Sequence, residues 1–363
     1  MHHTRPWITA GVALVGAGLV AAPVAPMAGP LAAVTVPGIQ LTATDMVLDL
    51  VRHGLSQDNV DHILGTTPPG APITAEGAAQ AAFLADPTNP QHLQDPDFYN
   101  GIYASDFLRT QQTAADWLAA AGSPDTPVTN LAGLNELSAG IFEGKEQTEI
   151  TGLLYLLGPI SWMFGNYWMP QLGSTVDVNG MAFQDRFSDA IDQIYNNGGT
   201  VGEDGNLHDV AFSHGAAITT WVMMNVKNPD FGLYFSGLQQ GLLPNTGQVV
   251  IEGNPTDGWT LVSWNGHEVA ENPGLLTGLF VDFRDVMVAP QMATWHIIEA
   301  LQGGDPADIT AALQTGFTDV FNAFAAFPQA VIDTLTSAAG DAAGGSAAAT
   351  GDVLGDLLGS LTA

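Results

Sequence analysis

The chain has 363 residues, a formal charge of −30 from 37 acidic and 7 basic side chains, and no cysteine. Disulfide scaffolds, thiolate metal sites and cysteine nucleophiles are therefore excluded. So acidic a chain cannot neutralise a phosphate backbone or dock on anionic lipid through a basic patch, which removes nucleic acid from the expected partners.

Arg5 precedes an uncharged run over residues 6–44, apolar in its core at 7–24 and rich in Pro, Ala and Gly at 21–33. A short positive segment, an apolar stretch and small residues predict a secretory signal over residues 1–33, cleaved between 22 and 33. Residues 8–24 approach spanning length, so an uncleaved anchor is the alternative. Either way, a secreted or cell-envelope location is expected.

Residues 46–51 (MVLDLV) predict a short buried strand ending at Arg52-His53-Gly54. Residues 73–84 have a helical pattern with Thr74 as N-cap. A strand is expected at 101–104, a helix from Ser105 to about residue 121, and a strand at 128–131 leading into the stretch 134–144. Residues 183–195 predict an amphipathic helix, and 209–213 (DVAFS) a buried strand followed by His214-Gly215. A strand pair at 248–252 and 259–264 flanks the turn Thr256-Asp257-Gly258. Strands alternating with helices predict an α/β sheet with helices on both faces.

Two segments stand outside this alternation. Residues 151–176 carry no charge and contain Tyr155, Trp162, Phe164, Tyr167 and Trp168, interrupted by Gly158-Pro159 and Asn166. They read as an inserted helical pair that either packs on the sheet or forms a lid over the pocket. From about Asp305 a tail begins, with Phe317, Val320, Phe321, Phe324 and Phe327 at helical spacing, expected to be a packing face. Its Ala/Gly/Ser-rich stretch at 337–351 is expected to be flexible. The expected layout is a signal at 1–33, a main domain at 34–290 with the insertion at 151–176, and a tail at 291–363.

Four features suit one chemistry: a strand ending in Arg52-His53-Gly54, a helix opening with Ser105 and Arg109, a loop with Glu136 and Glu143, and a strand ending in Ser213-His214-Gly215. In an open α/β sheet, ligands bind beyond the carboxyl ends of strands, so both histidines are expected in one crevice. A neutral imidazole with one ring nitrogen held as a donor is an in-line nucleophile at the other. Phosphoryl transfer also needs fixed positive charge on the equatorial oxygens, which Arg52 and Arg109 supply as forks. Beyond the leader the chain has four arginines, and two of them fall in these motifs. His214, if protonated, would add a third positive donor. Ser56 and Asn59 are candidate neutral donors, although both also suit a helix cap. Glu136 is the preferred acid for the leaving group, with Glu143 in a structural role. Asp58, Asp61 and His62 read as a solvated loop rather than a metal site.

Leu50-Val51-Arg52-His53-Gly54-Leu55-Ser56-Gln57-Asp58-Asn59 resembles the signature of the histidine phosphatase superfamily, in the branch that includes phosphoglycerate mutases. Residues 73–81, 103–114, 134–144 and 211–215 resemble that branch's further motifs in the family's order, and the resemblance covers roughly residues 46–265. It implies a three-layer α/β/α sandwich and a phosphohistidine intermediate on His53. It also implies phosphate binding by Arg52, Arg109 and His214, with Glu136 as proton donor. Leu137 and Ser138 stand where the mutases have basic and aromatic residues, and basic residues are scarce throughout. The expected activity is accordingly that of an exported, histidine acid phosphatase-type phosphomonoesterase. It would need no metal or cofactor and would act on a small phosphomonoester, lipophilic or aromatic if the insertion is a lid. The rival expectations are a non-catalytic cell-envelope interaction protein on the same fold and, less favoured, a phosphomutase.

Overall fold

The computed structural model describes residues 43–147, 149–238 and 243–344. The expected signal and the end of the tail lie outside the described residues. In chain order the elements are β1 Met46–Arg52, α1 Gln57–Val60, α2 Ala75–Phe83, β2 Gly101–Ala104, α3 Leu108–Ala120, β3 Thr129–Asn130, α4 Glu149–Met163, α5 Gly180–Asn197, β4 Leu207–Ser213, α6 Gly215–Asn225, α7 Phe231–Leu238, β5 Gln248–Asn254, β6 Gly258–Trp264, β7 His267–Glu268, α8 Leu275–Gly303 and α9 Pro306–Gly344.

The strands form one sheet in the order β3-β2-β4-β1-β5-β6-β7. Strands β3, β2, β4 and β1 are parallel, and the β5–β6 hairpin joins β1 antiparallel. Alternation along each strand fills two apolar layers. Leu48, Leu50 and Ala211 face Phe183, Phe187 and Trp221 on one side. Val51, Val210, Phe212 and Ile102 pack with Trp117 and Leu118 on the other. The result is the α/β/α sandwich expected from the sequence.

Register decides where the chemistry falls. Arg52 on β1 lies opposite Ser213 on β4, so the residues that follow, His53 and His214, leave the sheet side by side. Ala104 on β2 lies opposite Phe212, which brings Ser105 to the same edge.

Several local expectations shift. Helix α3 begins at Leu108 rather than Ser105, because the Ser105 hydroxyl accepts the Phe107 N–H at 3.3 Å and the Leu108 N–H donates to Pro69 O at 2.8 Å. The insertion is one helix, α4, followed by irregular chain instead of a helical pair. Trp162 stacks on Phe183 at 5.7 Å and donates its indole N–H to Met169 O, which ties the segment to the core. The boundary expected at 290 falls inside the continuous helix α8. The stretch expected to be flexible is helical as far as Gly344, as its alanines favour. Helices α8 and α9 pair antiparallel, with Gly316 against Ala293 and Phe327 edge-on to Phe283 at 5.0 Å. The aromatic stripe of α9 packs only in part: Val320 and Phe327 are half-buried, while Phe317, Phe321 and Phe324 are exposed, because the two helices approach closely at small residues. Among the described residues, no helix is long and apolar enough to cross a membrane.

Two carboxylates inside the sheet make stability depend on pH. Asp209 is buried with neither side-chain oxygen partnered, and burial pushes its carboxyl up to about 7. Burial also raises Asp49 to about 6, against a 2.6 Å hydrogen bond from the Tyr99 hydroxyl. Both folded-state values lie above the ordinary 3.8, so between those limits the folded chain holds protons that the unfolded chain has released. Stability should therefore fall as pH rises from about 4 to 7 and return on acidification. Thermal melts from pH 5 to 8 should show Asp209→Asn flattening that slope, which reflects of order 2–4 kcal/mol in the native chain.

Candidate active site

The Arg52-His53-Gly54 turn is built to hold one imidazole still. Gly54 presses on α2 so closely that a Cβ there would sit 2.6 Å from Gly77 O, and its N–H donates to Thr113 Oγ1 at 2.9 Å. The backbone carbonyl of His53 accepts from Asn245 Nδ2 at 3.1 Å. His53 itself is buried, with Nδ1 2.8 Å from Gly54 O. Arg109 donates Nε–H to His53 Nε2 at 3.1 Å, so Nε2 is an acceptor and the ring proton lies on Nδ1, donated to Gly54 O.

The same Nε–H is shared with His214 Nδ1 at 3.2 Å. His214 therefore carries its proton on Nε2 and donates it to Ser105 Oγ at 2.8 Å. Ser105 lies 2.8 Å from Thr110 Oγ1, which donates to Phe107 O at 2.8 Å, so the chain of donors ends on backbone. Burial, then the Arg109 guanidinium, hold both imidazoles well below the ordinary 6.5. His214 is thus neutral here, and the third positive donor considered from the sequence is not in place in this state.

Arg109 opens α3 and also donates Nη2 to Gly65 O at 3.1 Å, with Phe107 packed 4.2 Å beneath its guanidinium. Arg52 donates Nη1 to Leu243 O, and burial lowers its pKa to about 10. Arg52 Nε and Arg109 Nη1 are both buried without a hydrogen-bond partner. Unpartnered buried donors are costly, and two guanidinium donors beside one imidazole make a cradle for an anion. The cavity they line is about 170 Å³.

Glu136 lines the same cavity. Its Oε1 accepts the N–H groups of Leu137 and Ala217, each at 2.9 Å. Burial raises its carboxyl above the usual range, while Arg109 pulls the other way. The loop that carries it is fixed from behind, since Arg186 donates to Gly133 O and Asn135 O and pairs with Asp177 through two bonds. Glu143 does not line the cavity. Instead it accepts from the N–H groups of Thr66 and Thr67 and from the Thr66 hydroxyl, clamping the loop opposite.

Ser56 and Asn59 line the cavity but form the reciprocal cap of α1, through Asn59 N–H to Ser56 Oγ at 3.3 Å and Ser56 N–H to Asn59 Oδ1 at 3.2 Å. Their oxygens are thereby engaged as acceptors. Asp61 and His62 do not line the cavity, whereas Asp58 does. Sequence reasoning missed the supporting roles of Ser105, Thr113 and Asn245; Asn245 lies in a stretch with no motif. It also placed Asp58 in a solvated loop. Tyr155 and Leu156 of α4 reach the cavity, so the insertion contributes both to the core and to the pocket wall.

Residues 48–267 match the model of the histidine phosphatase superfamily, branch 1. A PE-PGRS family protein of Mycobacterium tuberculosis, PE_PGRS11, is 43% identical over 301 residues, which is 81% of this chain and 49% of that protein. The chain thus spans about half the length of this curated relative. Among solved structures, a phosphoglycerate mutase of Bacillus anthracis aligns with a TM-score of 0.44 at 21% identity, over 62% of this chain and 94% of that one. A mycobacterial glucosyl-3-phosphoglycerate phosphatase aligns with a TM-score of 0.43 at 19% identity, over 61% of this chain and 99% of that one.

Proposed function

The chain belongs to branch 1 of the histidine phosphatase superfamily, and from that premise we propose that it is a phosphomonoester hydrolase working through a phosphohistidine on His53. Membership supports phosphatase- or mutase-type activity on small phosphorylated substrates. The observation that carries the finer reading is the pair of unpartnered guanidinium donors flanking a neutral, correctly tautomerised imidazole.

In this reading Arg52 and Arg109 take the phosphoryl oxygens, and the guanidinium of Arg109 moves its Nε–H from His53 Nε2 to the anion. Nε2 then attacks phosphorus as the ester P–O bond breaks, and Glu136 gives its proton to the leaving alkoxide. Water attacks the phosphohistidine, its proton passes to Glu136, and phosphate departs. His214 shares Arg109 with His53 and, through Ser105, is positioned to donate to the phosphoryl group once that anion raises its pKa. The step calls on no metal. The scarcity of cations in the cavity supports hydrolysis over mutase chemistry. The apolar start of the chain supports export to the medium or cell envelope.

The pH profile follows from two groups. Activity needs His53 neutral, so it falls at low pH through a value held below 6.5 by burial. It needs Glu136 protonated, so it falls again as pH rises through a value burial has raised. The test is hydrolysis of an alkyl and an activated aryl phosphate from pH 4.5 to 7.5 with chelator present. In kcat/KM, which reports phosphorylation of His53 and not the later attack of water for which Glu136 is the base, Glu136→Gln should lose about 10²–10⁴-fold on the alkyl ester and far less on the aryl ester, whose leaving group needs no proton. Equal losses on both esters would remove Glu136 as the acid. A folded chain inert towards a panel that includes lipid phosphates would favour a binding role at the cell envelope.

A further inference from the structure

Asp58 is an acid at the mouth of an anion-binding cavity. It sits in α1, lines the cavity, and holds its Oδ2 3.6 Å from Arg109 Nη1. Its place is built: a Cβ on Gly65 would fall 2.2 Å from that same oxygen, and Gly65 O accepts from Arg109 Nη2. The missing side chain at Gly65 is what lets the carboxylate stand there. Among the described residues, the carboxyl and guanidinium groups lining the cavity are those of Arg52, Arg109, Asp58 and Glu136. The other described cations are engaged elsewhere, Arg186 on Asp177, Arg284 on Asp285 and Lys145 over the Phe142 ring, while Lys227 lies beside Gly258.

Two arginines match one phosphoryl dianion and leave no cation for a second anionic group. Such a group on the leaving alcohol would meet Asp58 and the apolar wall of Ile63, Leu64, Tyr155 and Leu156. We propose that Asp58 is a specificity-determining residue that restricts the site to phosphate esters of uncharged, largely apolar alcohols and rejects phosphorylated acids and bisphosphates. This rests on the phosphatase reading above. Like charges within several ångströms at a partly buried site repel strongly enough to discriminate between esters of equal size.

The test uses a pair differing only in charge, 4-carbamoylphenyl and 4-carboxyphenyl phosphate, with the matching phosphonates as non-hydrolysable ligands. The native chain should prefer the carbamoyl ester by about 10–50-fold in kcat/KM, with a similar ratio in phosphonate Kd. The preference should shrink as salt is raised. Asp58→Asn should cut the ratio about tenfold, chiefly by improving the carboxy ester, and Asp58→Ser should do the same. Equal kcat/KM for the two esters, or an Asp58→Asn loss shared equally by both, overturns the charge filter and leaves the phosphatase reading standing. Discrimination in phosphonate binding without turnover of either ester supports the filter and overturns the phosphatase reading instead.

Discussion

Replacing His53 by Ala is expected to lower hydrolysis of an aryl phosphate by about 10⁴-fold or more while leaving the fold intact. The loss should be this large because no other described nucleophile shares the ring's setting. His53 Nε2 accepts from Arg109 at 3.1 Å in the cavity that Arg52 also lines, its tautomer set by Gly54 O at 2.8 Å and its backbone held by Asn245. His214 cannot take over, because it is fully buried and, unlike His53, does not line the cavity that would hold the phosphoryl group. Rapid acid-free quench with labelled substrate should trap a phosphoenzyme that is stable to base and lost in acid, as an N-phosphorylated imidazole is. The same quench on His53→Ala should trap none. A variant within tenfold of the native chain, with a native melting curve, would mean that phosphorus is attacked by another group.

The second large effect is expected at Arg109. Its Nε–H covers the lone pair of His53, its Nη2 ties down the loop at Gly65, and its Nη1, without a hydrogen bond, forms an ion pair with Asp58 at 3.6 Å. Arg109→Ala should cost about 10³–10⁵-fold in kcat/KM, the range found where an arginine neutralises a transferring phosphoryl group. Arg109→Lys should recover little of this, since an ammonium cannot span both imidazoles and present a fork to the phosphate. A second consequence separates this role from a merely structural one. After burial, Arg109 is the largest influence holding His53 and His214 below their ordinary value. Its removal lets both pKa values rise, so the acid limb of the residual activity should move to higher pH. A full pH–rate profile for the native chain and both variants decides it; an unmoved acid limb would mean that the guanidinium does not control the imidazoles.

Much of the site is legible because each chemical residue is anchored to the end of a patterned element. An apolar strand at 46–51 running straight into Arg-His-Gly, and another at 209–213 running into His-Gly, place two imidazoles at strand ends before any coordinate is known. Thr74 before the helical run at 75–83 is read as a cap and is one, accepting the Gly77 N–H at 3.1 Å while its hydroxyl donates to Leu55 O at 3.2 Å. Ser56 and Asn59 show the limit of such reading: the spacing suits both a cap and a phosphate donor, and the cap takes their oxygens as acceptors while both residues line the cavity with their O–H and N–H groups outside the cap. The tail shows it again, because five apolar residues at helical spacing define a face without saying whether a neighbour covers it. The helix that pairs with α9 meets it at Gly316 and Phe327 and leaves Phe317, Phe321 and Phe324 exposed.

Local pattern and composition are enough to read an α/β sheet, the order of its chemical residues, and the charge poverty that leaves two arginines to hold an anion. Neither needs a distant partner to be read. Only the tertiary structure decided the protonation and company of those residues. The β1–β4 register brings His53 and His214 under one guanidinium, while burial in that crevice keeps both rings neutral and raises Glu136. The bare Cα of Gly65 admits Asp58 to the cavity mouth. Each depends on segments far apart in the chain meeting at close range, where removal from water and the nearest charge set a group's state.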